Sequence, residues 1–163
     1  MSQDEKRNAG FTLIELLIVI AIIGLLAAIA IPNLLNAVQR GKQKRSMADM
    51  KTLAVAIEAY HVDNSMYPAA ACAAGVYTSP GPLLAEDSFT NLTPTYVAQA
   101  PLRDGWGRFM RYSVDAAGVN YNVRSLGRNG VANALVCGTT TNFNQDILFS
   151  NGVFLQWPEG TQD

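Results

Sequence analysis

The sequence has little of what enzymatic or metal chemistry usually requires. His61 is the only histidine, and the two cysteines, Cys72 and Cys137, lie far apart in the chain. No serine or cysteine stands in a recognisable catalytic-triad context, no glycine-rich phosphate loop is present, and no cysteine–histidine cluster suits zinc. A surface position is the simpler interpretation of His61. The sequence therefore assigns no catalysis to this protein.

Charge of one sign is also scarce. Lysine and arginine number 12 and aspartate and glutamate number 13, which gives a formal net charge of −1 and argues against a general nucleic-acid-binding protein. The one basic cluster, Arg40, Lys42, Lys44 and Arg45, has no interleaved aromatic residues on which bases could stack. A solvated face or contact with lipid headgroups explains this cluster, so we predict no nucleic-acid partner.

A long apolar segment stands out against this background. No charged or strongly polar side chain interrupts the chain from Leu16 to Ile31. With its apolar flanks the segment approaches about 25 residues, on the order of 37 Å as a helix. A bilayer core of about 30 Å needs roughly 20 residues, so this segment can span a membrane. A single acid, Glu15, lies near its start.

Three interpretations fit this N-terminal region. An ordinary secretory signal would have its small-residue cleavage site at residues 28–30, but the helical pattern continues past that site. A plain membrane anchor leaves Glu15 without a partner, and an acid at the centre of a membrane helix costs roughly 2.5–3.5 kcal/mol. Cleavage between Gly10 and Phe11 would supply the partner, because the new α-amino group lies about one helical turn before Glu15.

Such an ammonium and the carboxylate would attract strongly, because the dielectric of an apolar setting is low. Within one helix, the Phe11 amino group and Glu15 have the spacing of an i,i+4 pair. Between two neighbouring helices, the same pair would set the relative height of the two chains. Glu15 is then predicted to be an assembly residue.

The stretch KRNAGFTLIE, residues 6–15, followed by an apolar helix, resembles the processing site of type IV prepilins and of type II secretion pseudopilins. The resemblance includes a short polar leader that ends in Gly10, then Phe11, and Glu15 at the fifth position of the mature chain. It implies cleavage by prepilin peptidase, N-methylation of Phe11, and retention of the apolar helix as the core of a filament.

The helical pattern changes character beyond Pro32. Pro32 removes a backbone donor and Gly24 adds flexibility, and both fall where the family softens its helix. Further on, apolar residues recur at three- and four-residue steps, which indicates an amphipathic helix with one face to cover. This stripe consists of Met47, Met50, Leu53, Ala54, Ile57 and Tyr60. We predict one long helix over residues 11–62.

The rest of the chain favours a small sheet after a long connecting loop at residues 69–95. Short alternating runs lie at 107–115 and 119–127, and two apolar runs within 146–157 flank a Ser-Asn-Gly turn signal. We therefore predict an α+β fold of the type IV pilin-like kind. In it, a long N-terminal helix, apolar in one half and amphipathic in the other, packs on a small C-terminal antiparallel sheet of three or four strands.

Residues 101–130 resemble the strand–strand–loop region of the major pseudopilin of type II secretion, through the turn at Trp106 and a Ser-Leu-Gly loop. That loop binds calcium in the family, so the resemblance implies oxygen ligands from the Leu126 backbone, Asn129 and the pair Gln145–Asp146. The family more usually has an acid at the Asn129 position, so affinity should fall here. The alternative is that Asn129 simply forms a turn and Asp146 caps a strand end.

Two cysteines in an exported domain permit one disulfide, which would join Cys72 to Cys137. The sequence does not fix whether their Cα atoms come within bonding range. Two separate buried thiols are the alternative.

The predicted organisation is a cleaved leader at 1–10, a transmembrane or filament-core helix at 11–35, its amphipathic continuation at 36–62, and a periplasmic module at 63–163. The resemblance implies a single pass through the bacterial inner membrane, with the N-terminus in the cytoplasm. The count of basic residues flanking the helix points the opposite way, and we follow the resemblance.

The function implied by the resemblance is that of a structural subunit of a type II secretion pseudopilus, a helical homopolymer that helps to export proteins across the outer membrane. The implied partners are prepilin peptidase, the inner-membrane assembly platform and minor pseudopilins, with energy from a separate cytoplasmic ATPase. A major type IV pilin subunit is the near alternative. An exported soluble binding domain with an ordinary signal peptide is the alternative from another class.

Overall fold

The computed structural model describes residues 10–68, 89–115, 117–160 and 162. One helix, α1 (Leu13–Asn64), precedes all the strands of this described part. The strands are β1 (Arg111–Val114), β2 (Tyr121–Ser125), β3 (Gly138–Thr140), β4 (Ile147–Ser150) and β5 (Val153–Pro158). The predicted α+β architecture is confirmed, and α1 begins and ends within two residues of the predicted bounds.

The chain divides after Leu35 into two compact units, and α1 contributes to both. The first unit contains the apolar part of α1. The second unit begins at Asn36 and contains the amphipathic part of α1 together with the sheet.

The amphipathic part of α1 buries its apolar stripe in the core of the second unit. Met50, Leu53 and Ile57 are fully buried, whereas Met47 and Tyr60 at the ends of the predicted stripe are only partly covered. The sheet supplies the other side of this core with Tyr112, Val114, Tyr121, Val123, Ile147 and Phe149. The helix therefore gives the sheet the apolar partner that short strands need for stability.

The sheet has five strands in the order β1-β2-β4-β5-β3, which is more than we predicted. Every neighbouring pair is antiparallel except β3 and β5, which are parallel, so the sheet is mixed rather than wholly antiparallel. The missed strand, β3, has the sequence GTT, which is too short and too polar to show an alternating apolar pattern. Only its pairing with β5 makes this segment a strand.

The predicted turn between the last two strands is confirmed. Asn151 and Gly152 connect β4 to β5, and both have positive φ, at 44° and 86°. Positive φ at both central residues suits a two-residue hairpin turn, which is why asparagine and glycine are favoured there. The Asn151 side chain also accepts a hydrogen bond from the Tyr121 backbone N–H at 2.9 Å, which ties the turn to β2.

Candidate functional site

The first unit exposes a nearly continuous apolar surface. The exposed fraction of its large apolar side chains lies between 44% and 85%, and these are Phe11, Leu13, Ile14, Leu16, Leu17, Ile18, Val19, Ile20, Ile22, Ile23, Leu25, Leu26, Ile29, Ile31, Leu34 and Leu35. By length and composition, α1 can cross a membrane. A contiguous apolar surface of this extent needs a lipid or protein environment to cover it.

Three reciprocal hydrogen bonds between Thr12 and Glu15 cap the start of α1. The Glu15 carboxylate accepts hydrogen bonds from the Thr12 backbone N–H at 2.9 Å and from the Thr12 hydroxyl at 2.7 Å. The Thr12 hydroxyl in turn accepts from the Glu15 backbone N–H at 3.3 Å. This arrangement is a capping box, which satisfies backbone donors that the first helical turn leaves unpaired. Sequence reasoning missed it, although the Thr-x-x-Glu spacing was the signal.

The predicted cleavage site lies just before this cap. Gly10 and Phe11 precede α1, and both are exposed, Phe11 to 77%. The bond between them is therefore outside the helix and accessible in the isolated chain. Its cleavage and the methylation of Phe11 stay predictions.

The two predicted softening residues both lie inside the continuous helix. Gly24 and Pro32 are exposed, and α1 keeps its helical form through both. Pro32 has no N–H to donate to the preceding turn. The next residue, Asn33, donates a hydrogen bond from its side chain to the Ile29 carbonyl, four residues earlier, at 3.2 Å. Their softening role stays a prediction.

In the second unit, Asp104 organises the tryptophan-bearing turn. Its carboxylate accepts hydrogen bonds from the backbone N–H groups of Trp106 and Arg108, at 2.9 and 3.0 Å, and from the Ser125 hydroxyl at 2.8 Å. Asp104 is buried. An aspartate that bonds backbone groups a few residues further on is typical of tight turns.

The same turn is packed closely against α1. The Gly105 N–H donates to the Ser46 hydroxyl at 2.9 Å, and the Trp106 indole donates to the Gln39 side chain at 2.8 Å. A β-carbon on Gly105 would lie only 2.0 Å from the Lys42 carbonyl oxygen. Glycine is therefore required at this position for the backbone to approach the helix.

Arg108 binds the backbone of the loop between β2 and β3. The Arg108 guanidinium donates from Nη1 to the carbonyl oxygens of Gly127 at 2.9 Å and Arg128 at 2.6 Å. A β-carbon on Gly130 would lie 2.7 Å from the Arg108 Nε. The guanidinium thus lies directly against the loop backbone.

Arg124 also binds this loop. Its guanidinium binds the Asp146 carboxylate through Nε and Nη2 and also donates to the Asn133 carbonyl. The side chains of Arg124 and Asp146 are 4% and 0% exposed, so this is a buried ion pair. Burial raises the pKa of the Asp146 carboxyl above its ordinary value, and the adjacent Arg124 opposes this rise.

The predicted calcium ligands do not fit a calcium ion in this arrangement. The Asp146 carboxylate is taken up by Arg124 and by the backbone and side-chain N–H groups of Asn133. The Asn129 side chain accepts from the Val131 N–H at 3.0 Å, as the turn alternative predicts. Leu126 is buried. No group of three or more His, Cys, Asp and Glu residues in the described ranges could hold a metal ion.

The predicted disulfide would join Cys137 to a residue outside the described ranges. Cys137 is exposed, just before β3, whereas Cys72 lies outside the described residues. The bridge stays a prediction.

Comparison with known proteins decides the family. Residues 6–31 match the prokaryotic N-terminal methylation motif, and residues 33–141 match the family model of the type II secretion system protein G. The chain belongs to the type II secretion system protein G family. It is therefore a pseudopilin, a structural subunit, as predicted.

Individual relatives agree with this assignment. The type II secretion system core protein G of Vibrio cholerae is 30% identical over 131 residues, which cover 77% of this chain and 84% of the relative. The protein of the same name from Dickeya chrysanthemi is 32% identical over 126 residues, 77% of this chain and 74% of the relative.

A type IV pilin is similar over a shorter stretch. The type IV major pilin protein PilA of Myxococcus xanthus is 46% identical over 67 residues, which cover 41% of this chain and 30% of the pilin. This similarity confirms the pilin-like class of the fold. The longer matches favour the pseudopilin over the pilin and over a soluble binding domain.

Proposed function

We propose that this pseudopilin is made as an inner-membrane precursor, cut between Gly10 and Phe11, N-methylated at Phe11, and assembled into a helical homopolymer. The observation that carries the proposal is the exposed apolar half of α1, which follows an accessible Gly10–Phe11 bond inside the matched methylation motif. The subunit itself performs no catalysis. Its role is mechanical, because subunits added at the base lengthen a rod that helps to export proteins.

These processing and assembly steps imply the partners. Prepilin peptidase cuts the leader, the inner-membrane assembly platform adds subunits, and minor pseudopilins join the same filament. A separate cytoplasmic ATPase supplies the energy. The N-terminus lies in the cytoplasm and the second unit in the periplasm.

Glu15 has two roles in this proposal. In the single chain, its Oε2 caps the first turn of its own helix through Thr12. In the filament, the α-ammonium of Phe11 from a neighbouring subunit forms an ion pair with the Glu15 carboxylate and approaches its Oε1 atom. A charge pair in an apolar core fixes the axial position of the two chains, because any offset leaves both charges unpaired.

Two substitutions separate these roles. Glutamine at N3 retains a capping box but carries no charge, so Glu15→Gln keeps the cap and removes the ion pair, whereas Glu15→Ala removes both. We expect both variants to be cleaved at Gly10, as mass spectrometry of the mature N-terminus would show. Both should yield few filaments by electron microscopy, because the charge is lost in each.

Several results would contradict the proposal. Normal filament yield with Glu15→Gln would reduce Glu15 to a helix cap. A mature chain beginning near residue 31 would indicate an ordinary secretory signal instead. Deleting the gene should abolish protein secretion and leave surface pili intact, and the reverse outcome would make the chain a pilin in function.

A further inference from the structure

We propose that two arginines of the second unit, Arg108 and Arg124, replace a metal ion as the positive groups that bind the oxygen atoms of the loop at residues 126–137. The loop is then built without calcium, and the stability of this unit does not depend on that ion. The inference goes beyond the proposed function and does not rest on it, because it concerns the folding of the second unit alone.

The first step concerns the chemistry that the loop offers. Calcium gathers oxygen ligands, from carboxylates and from backbone carbonyls, around one positive centre. A guanidinium is also positive and presents five N–H donors in a planar fork, so it can gather the same kinds of oxygen. A loop whose oxygens already bind guanidinium groups has those ligands occupied.

The second step is that Arg108 binds two carbonyls of the loop. Its Nη1 lies 2.9 Å from the Gly127 oxygen and 2.6 Å from the Arg128 oxygen. Because these residues begin the loop, Arg108 fixes the point where the chain leaves β2.

The third step is that Arg124 joins a carboxylate to a third loop carbonyl. It bonds the Asp146 carboxylate and the Asn133 carbonyl with the same guanidinium. Asn133 reinforces this link, since its side chain donates to the Asn144 carbonyl at 2.6 Å and to Asp146 at 3.3 Å. A positive centre, a carboxylate and a backbone carbonyl are thus already assembled.

The fourth step is the space around the loop. A β-carbon on Gly127 would lie 2.6 Å from the Gln145 carbonyl oxygen, so the loop and the segment before β4 are in direct contact. A calcium ion at Asp146 would have to displace Arg124, which would then lose its buried partner. Breaking a buried ion pair is strongly unfavourable because it leaves an uncompensated charge.

The test uses the full-length protein in detergent and needs no variant for its first part. We expect the thermal unfolding midpoint to be the same in millimolar calcium chloride and in EDTA, and calorimetric titration with calcium chloride to show no binding heat. A midpoint that rises with calcium, or a saturable heat of binding, would overturn the proposal.

The second part removes the guanidinium groups one at a time. We expect Arg108→Gln to lower the unfolding midpoint by roughly 2–4 °C, since the loop carbonyls lose their donor. Arg45→Gln is the matched control, because the Arg45 side chain is 73% exposed and pairs with Asp49 on its own helix. We expect the control to leave the midpoint unchanged.

Arg124→Gln should lower the midpoint further than Arg108→Gln, because it leaves the Asp146 carboxylate buried without its counter-ion. If Arg124→Gln fails to fold, Arg108→Gln and the calcium titration of the unchanged protein still decide the question. An Arg108→Gln midpoint equal to that of Arg45→Gln would also overturn the proposal.

Discussion

Single buried polar side chains fix the turns of the second unit. Asp104 is buried, yet it satisfies two backbone N–H groups of its own turn and the hydroxyl of Ser125 on β2. Buried polar groups in folded proteins are almost always paired in this way, and an unpaired donor costs about 1–3 kcal/mol. Asp104 therefore couples the tryptophan turn to the sheet.

We expect Asp104→Ala to lower the free energy of unfolding by roughly 2–4 kcal/mol, because three donors lose their acceptor. Asp104→Asn is the matched control, since its side-chain oxygen still accepts from the backbone and its amide can donate to Ser125. The control should lose less than about 1 kcal/mol. Urea unfolding of both variants checks this, and equal losses would show that charge, rather than hydrogen bonding, matters at this position.

At the scale of the element, α1 meets two different demands along its length. Its first part is apolar and exposed in the single chain, as a segment destined for lipid or for neighbouring subunits must be. Its second part is amphipathic and buries one stripe against the sheet. The periodicity of the sequence changes at the same point, because a helix covered on all sides needs no polar face.

The second part offers a matched pair of positions for testing this division. Leu53 is fully buried, and Val55, two residues further on, is 69% exposed. We expect Leu53→Ala to lower the free energy of unfolding by roughly 2–5 kcal/mol, because it leaves a cavity in the core. Val55→Ala should change it by less than about 0.5 kcal/mol. Similar losses in denaturant unfolding would mean that the stripe is assigned to the wrong face.

At the scale of the whole molecule, the second unit is proposed to lie on the periplasmic side of the membrane. The basic cluster, Arg40, Lys42, Lys44 and Arg45, follows the apolar segment and would by itself favour a cytoplasmic position. Part of this cluster, however, is built into the folded second unit, where the Lys42 carbonyl lies against the tryptophan turn. A charge count made for flexible loops is a weak guide to such a segment, and family membership favours the periplasm.

We expect alkaline phosphatase fused after residue 163 to be active in cells, because the enzyme folds only after export. β-Galactosidase fused at the same point should be inactive. A fusion of each enzyme directly after residue 10 provides the control, and its activities should be reversed. High β-galactosidase activity at the C-terminal fusion would place the second unit in the cytoplasm and contradict the proposed assembly.

Features that depend on neighbouring residues could be predicted from the sequence. The order Gly10, Phe11, Glu15 lies in one short motif, and the buried stripe of α1 follows from its three- and four-residue spacing. The Asn151–Gly152 turn was likewise predictable, because asparagine and glycine tolerate the positive φ that the hairpin requires. In each case the residues are close in sequence, so the local backbone geometry fixes the distances between them.

Other features depend on residues that are distant along the chain, and only the tertiary structure decided them. Arg124 and Asp146 are 22 residues apart, and Asp104 and Ser125 are 21 apart, so no local pattern links them. The polar strand β3 exists only through its parallel pairing with β5. The sequence alone determined the membrane-length helix and the family of this pseudopilin, because short-range spacing carries both. The pairing of the buried charges of Arg124 and Asp146 was fixed only when folding brought those residues together.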